Sequence, residues 1–296
     1  MFHVKHLFSF NKKEDRKLWI YKCSYDTISG FKVKKGDHMT RIIAVSNQKG
    51  GVGKTTTAVN LSAALAEMGS KVLLIDMDPQ GNATSGVGIN KNDPENTMYE
   101  LMIGEAEYGD VLIKTEYDNL WLMPSDINLS GVEIELLEVD RREYRLKDTL
   151  EPHKGDFDYI LIDCPPSLNM LTVNAMTAAD TVLVPIQCEY YALEGLSQLL
   201  QTIILVRKKL NPYLELEGIV FTMYDARTNL SVQVVENVKN NIKQNIYDTI
   251  IPRNVRLAEA PSHGMPITKY APNSTGADSY RLLALEVRGR SERKKK

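Results

Sequence analysis

From Met39 onward the chain alternates short apolar runs with longer stretches of helical period. RIIAVS (41–46) is a β-branched run, a Gly-rich loop follows it, and TTTAVNLSAALAEM (55–68) is an alanine-rich helical stretch. Gly69 suits a helix C-terminus, and KVLLID (71–76) is the next apolar strand. This order predicts a βαβ unit, and strands apolar on both faces belong in a parallel sheet covered by helices on each side. Further strands are predicted at 120–124, 159–163, 181–186 and 216–224. Helices are predicted near 131–150, 168–178, 192–210, 229–245 and 275–288. No linker-like composition and no repeat divides 39–287, so the pattern predicts one doubly wound α/β domain with a mostly parallel sheet.

Composition adds little until it is divided along the chain. The 296 residues are 43% apolar and 25% charged, ordinary globular values that exclude fibrous and wholly disordered classes. The formal charge of −2 conceals a strong partition. Residues 1–38 hold 9 basic and 4 acidic side chains, and 288–296 hold 6 against 1, whereas 39–287 hold 21 against 33. An acidic globule of −12 thus carries two basic ends of +5 each. The last nine residues, RGRSERKKK, read as a basic disordered tail. No apolar run is long enough for a membrane span, and the first 30 residues lack a signal-peptide core. Cys23, Cys164 and Cys188 are odd in number and far apart, which fits a reducing, cytoplasmic setting better than a disulfide framework.

Residues 1–38 leave two readings open. One is a flexible basic arm. The other is translated upstream sequence, with Met39 as the native start. Phe2-His3-Val4-Lys5 can be encoded by TTT CAC GTG AAA, which is its own reverse complement, and Lys35-Gly36-Asp37 by a ribosome-binding-like purine run.

The strongest chemical signal is NQKGGVGKTT, Asn47 to Thr56, set between a strand and a helix. Glycines let backbone N–H groups turn inward around phosphate oxygens, and the following helix presents its positive end. Lys54 is placed to contact the β- and γ-phosphates and the Thr55 hydroxyl to ligate Mg²⁺. The general GxxxxGK[ST] pattern requires glycine where this chain has Gln48, and a second lysine, Lys49, opens the loop. This KGGVGKTT resembles the deviant Walker-A loop of the ParA/MinD family of P-loop ATPases, a SIMIBI-like fold. The resemblance implies ATP and Mg²⁺ as ligands, held by Lys49, Gly50, Gly51, Val52, Gly53, Lys54, Thr55 and Thr56. It also implies that Lys49 reaches across a nucleotide-sandwich homodimer to the phosphates of the other protomer.

Two carboxylate motifs follow later strands. Asp76 and Asp78 stand in DMDPQGN, where a strand's C-terminal end meets the ligand crevice of such sheets. By the resemblance, Asp78 positions the attacking water, Asp76 is structural or outer-shell, and DPQGN is a nucleotide-sensing switch. Asp163 ends YILID before Cys164-Pro165-Pro166-Ser167 and matches a Walker-B carboxylate near Mg²⁺. DCPPS resembles the second switch.

The C-terminal third narrows the resemblance. MYDART (223–228) and IPRNVRLAEAPS (251–262) are similar to the chromosome-partitioning ParA/Soj branch, and the likeness spans nearly all of 41–287. That branch implies slow, dimer-dependent ATP hydrolysis and non-specific binding of double-stranded DNA through Arg227 and Arg256. It places Pro252 and Asn254 against the adenine, and adds nucleoid association with a centromere-binding partner of the ParB/Spo0J type. It also gives the palindrome at residues 2–5 a meaning, since such partners load on sites with a similar core. Two other outputs share the loop. A MinD-type division-site ATPase needs an amphipathic C-terminal helix, and bulky apolar residues are missing after Val287. A reductase of the nitrogenase iron protein type needs bridging cysteines, and neither Cys164 nor Cys188 has that family's flanking glycines.

Overall fold

In a computed structural model, residues 40–189, 192–242 and 245–294 are described. The two readings of 1–38 lie outside the described residues. The strands are β1 (Arg41–Val45), β2 (Val72–Asp76), β3 (Ile113–Lys114), β4 (Leu120–Met123), β5 (Tyr159–Asp163), β6 (Thr181–Gln187), β7 (Glu215–Tyr224) and β8 (Ile246–Pro252). They form one sheet in the order β3-β4-β2-β5-β1-β6-β7-β8, parallel except for the β3 edge, which runs antiparallel to β4. This is the doubly wound arrangement that the apolar pattern predicts. Register sets the site: Val45 of β1 and Asp76 of β2 both lie opposite Asp163 of β5. Three neighbouring strands therefore deliver the phosphate loop and both aspartates to the same edge.

Helix α1 (Lys54–Glu67) runs back from that edge. Ala58, Leu61, Ala64 and Leu65 are completely buried in it, because the sheet covers one side and the last helix covers the other. Short helices follow, α2 (Asn82–Gly86), α3 (Met98–Ile103) and α4 (Tyr108–Val111). The predicted 131–150 helix is two pieces, α5 (Val132–Glu135) and α6 (Arg145–Leu150). Val132 and Leu136 turn inward, Ile134 and Leu137 are exposed, and Arg141 adopts φ 58, so no single apolar stripe carries one long helix. Helices α7 (Met170–Ala178), α8 (Ala192–Lys209) and α9 (Asn229–Asn241) alternate with the later strands, and α10 (Val255–Glu259) and α11 (Ile267–Tyr270) precede α12 (Thr275–Lys294).

The C-terminal end corrects the sequence reading. Helix α12 does not stop at 288 but continues through Lys294, and its first basic residues are built into the domain. Arg290 donates to the Ile246 carbonyl (2.7 Å) and the Glu217 carbonyl (3.1 Å), with its guanidinium 3.8 Å from the Tyr247 ring centroid. Arg41 bonds Ser291 and pairs with the buried Glu217 carboxylate, which also accepts from the Tyr247 hydroxyl at 2.6 Å. Arginine stems cover apolar surface while their heads satisfy carbonyls, so charge alone did not mark a tail.

Candidate active site

The loop after β1 is held from outside before it meets any ligand. Asn47 donates to the Pro185 carbonyl (2.8 Å) and accepts from the Lys49 N–H (3.1 Å), and Thr222 donates to the Val52 carbonyl (2.8 Å). Gly51 and Gly53 take φ 73 and 86, the left-handed region that an L side chain resists. Gly53 caps α1 without a side-chain bond, which leaves the helix's first N–H groups facing the loop's interior. The resulting cleft of about 370 Å³ is lined by Gly50, Gly51, Gly53, Lys54, Thr55 and Thr56 on one side. Asp78, Gln80, Asn82, Pro166 and Met223 line the other.

Lys54 is buried, and its ammonium donates to the Lys49 carbonyl at 3.0 Å. Burial pushes its pKa down, while the charges of Asp163, Cys164 and Asp78 hold it up. Asp163 is fully buried beneath the cleft, and neither of its carboxylate oxygens has a hydrogen-bond partner. Burial pushes its carboxyl well above the ordinary range, the charge of Asp76 adds to that, and Thr55 and Lys54 act in the opposite direction. Two buried carboxyl oxygens without a geometric hydrogen bond, beside a threonine hydroxyl and a lysine, suit a hard divalent cation with oxygen ligands. Inward N–H groups and a buried lysine suit a polyphosphate.

Asp76 differs from Asp163 in being satisfied. It accepts from the Thr84 N–H and hydroxyl (both 2.8 Å) and from the Asp78 N–H (3.2 Å). Burial nevertheless lifts its carboxyl to about 6. It acts as the internal splint of the 78–84 turn. Asp78 is nearly buried, caps the Gln80 N–H (3.0 Å), and its carbonyl accepts from Ser125 (2.8 Å).

The other predicted residues lie apart from the cleft lining. Lys49 points to Glu189, with Nζ 2.5 Å from Oε2 and both side chains partly exposed. Pro252 ends β8 opposite Tyr224 of β7. Asn254 caps α10, accepting from the Leu257 N–H (3.3 Å) and donating to Thr275 (2.8 Å). Arg227 and Arg256 are exposed and paired with Asp225 and Glu259. Cys164 and Cys188 are both buried, and burial pushes the Cys188 thiol up to about 11. Sequence reasoning missed Met223 as a wall of the cleft. Its φ of 49 turns the chain at the end of β7, and nothing in the residue type signals that.

Comparison with known proteins agrees with this geometry. A protein-family model described as an AAA domain matches residues 40–216. The sporulation initiation inhibitor protein Soj of Bacillus subtilis is 58% identical over 249 residues, covering 84% of this chain and 98% of Soj. The chromosome partitioning protein ParA of Caulobacter vibrioides is 55% identical over 249 residues, covering 83% of this chain and 93% of ParA. Among solved structures, cobyrinic acid a,c-diamide synthase from Mycobacterium smegmatis with bound ADP and magnesium is 41% identical with a TM-score of 0.73. That match covers 83% of this chain and 93% of the synthase. Identity of this extent, over a sheet and phosphate loop of this form, means that the chain belongs to the ParA/Soj family of chromosome-partitioning ATPases.

Proposed function

We propose that this ATPase is a nucleotide-switched segregation motor component that dimerises with ATP and then binds double-stranded DNA without sequence preference. It moves a chromosome or plasmid, works on the nucleoid in the cytoplasm, and is reset when a centromere-binding partner of the ParB/Spo0J type stimulates hydrolysis. The single ATPase domain begins at Met39. The observation that carries this reading is the unpartnered Asp163 carboxylate beneath a glycine loop that also presents Lys54 and Asp78 to one cleft.

The loop N–H groups and Lys54 bind the β- and γ-phosphates of ATP, and Thr55 and Asp163 hold Mg²⁺. Held there by Thr55 and Asp163, Mg²⁺ would supply positive charge opposite the phosphate oxygens. Asp78 orients the attacking water and receives its hydrogen bond. Lys49 of a second copy supplies a further cation to the phosphates, so full charge neutralisation requires two protomers. Its link to Glu189 must therefore open before the dimer is complete. Pro252 and Asn254, at the end of β8, contact the adenine. Arg227 and Arg256 attract DNA phosphates, a contact that reads no bases.

The test is binding to random-sequence DNA with and without ATP, with Lys49→Ala and Arg227→Glu as controls and phosphate release measured in parallel. Binding is expected only with ATP and is lost in both variants. DNA binding that needs neither ATP nor these side chains overturns the proposal.

A further inference from the structure

Each arginine assigned above to DNA already holds a carboxylate. Asp225 lies just past β7, and its Oδ1 accepts from the Arg227 N–H (3.0 Å) and Nε (2.9 Å) while Oδ2 accepts from Nη2 (2.7 Å). The pair is a two-pronged fork in which the Arg227 side chain is 87% exposed and that of Asp225 only 21%. Glu259 on α10 holds Arg256 by a single prong, with Oε2 accepting from Arg256 Nη1 (2.8 Å) and from the Tyr270 hydroxyl (3.1 Å). The turn around Asp225 is braced by Thr228, which donates to the Asp225 main-chain carbonyl (3.0 Å), and the Glu259 carboxyl is held by Tyr270 as well as by its arginine. The two turns are neighbours, since Tyr224 pairs with Pro252 across β7 and β8 and the Arg253 N–H donates to the Tyr224 carbonyl at 3.0 Å. Hydrogen bonds from Arg227 hold the Asp225 carboxyl far below the ordinary range, and the charge of Arg253 adds to this.

Resting on the function proposed above, we infer that Asp225 and Glu259 are resident counter-ions that DNA phosphates must displace from Arg227 and Arg256, and that they set the affinity threshold of the DNA-binding face. The fork geometry of a guanidinium suits a carboxylate and a phosphate equally well, so the two compete for the same donors. An exposed ion pair is weak, and breaking one costs about two- to three-fold in binding. One protomer then gains little from DNA. Two protomers with four arginines exceed the threshold, and the counter-ions thereby convert dimerisation into a sharper DNA switch.

The experiment measures binding of the full chain to random 60-base-pair DNA, with and without ATP, for Asp225→Asn, Glu259→Gln and the double variant. Glu133→Gln on α5 makes the same change of net charge without touching either arginine and serves as the control. Each single substitution, doubled in a dimer, is expected to tighten ATP-dependent binding by about four- to ten-fold over the control. The double variant should retain DNA without ATP, and thermal melts identify any variant that fails to fold. If wild type binds with ATP and both variants match Glu133→Gln, the counter-ion inference is overturned and the proposed function stands. If wild type never binds DNA, the proposed function fails, and the inference fails with it.

Discussion

Asp163 is fully buried and neither of its carboxyl oxygens makes a geometric hydrogen bond, with Thr55 and Lys54 only partly offsetting the cost of burial, and this combination is costly in a folded chain. An unsatisfied buried polar group costs about 1–3 kcal/mol, more when ionised. Replacing Asp163 with Asn removes the charge facing Asp76 and keeps the volume. Asp163→Asn should therefore raise the melting temperature of the ligand-free protein by several degrees, since about 1 kcal/mol moves a domain of this size by roughly 2–4 °C. The same substitution should abolish the further rise on adding MgATP. Scanning fluorimetry with and without nucleotide reads both, and a lower ligand-free melting temperature would contradict the account. The counter-ion Asp225 titrates in the opposite sense. Its folded-state pKa is depressed, so it stays ionised down through the ordinary carboxylate range and its pairing is lost only in stronger acid. The share of the DNA threshold set by Asp225 should consequently be flat between about pH 5 and 8.

Among the elements, the turn after β2 is the most tightly specified. Gly81 has φ +58, and a Cβ there would stand 2.6 Å from the Ser125 carbonyl oxygen. Gly81→Ala combines a left-handed penalty with a backbone clash, and roughly 2 kcal/mol or more of stability should be lost. Because Asp78 hangs on the same turn through Ser125, ATP turnover should fall further than stability explains; activity measured well below the melting temperature checks this. Helix α12 yields a second test. Ending the chain at Val287 removes Arg288, Arg290 and Ser291, while ending it at Lys294 keeps them. The shorter chain should lose about 2–4 kcal/mol in urea titration, because Glu217 stays buried with its Arg41 partner loosened. The same two elements show what sequence reveals. The strand–loop–helix motif, DPQGN and YILID stood out because each couples an apolar run to residues with one chemical purpose. β8 escaped because IYDTIIP is half exposed and lies at the sheet's edge, and the end of α12 escaped because arginines bonded to carbonyls look like arginines in water. The Lys49–Glu189, Arg227–Asp225 and Arg256–Glu259 pairs depend on rotamers and loop paths that no local period encodes.

For the molecule as a whole, a charge of −12 over residues 39–287 argues against DNA binding on net charge alone. A long-range field of that sign repels phosphates, yet salt screens it within about 10 Å at 0.1 M, whereas direct contacts persist. On the proposed function, affinity comes from a few arginines gathered on one face, and their number is readable from salt dependence. Each neutralised phosphate contributes about −0.9 to the slope of log affinity against log salt. A dimer offering Arg227 and Arg256 from each protomer should give roughly −3.6. Arg227→Ala removes one contact from each protomer, so the slope should fall to about −1.8 in magnitude-matched conditions. If Lys49 completes the dimer as proposed, Lys49→Ala should abolish binding at every salt concentration, because protomer pairing and not a phosphate contact is lost. A wild-type slope near −1.8 would mean that only one protomer meets DNA, and an unchanged slope in Arg227→Ala would remove that arginine from the interface.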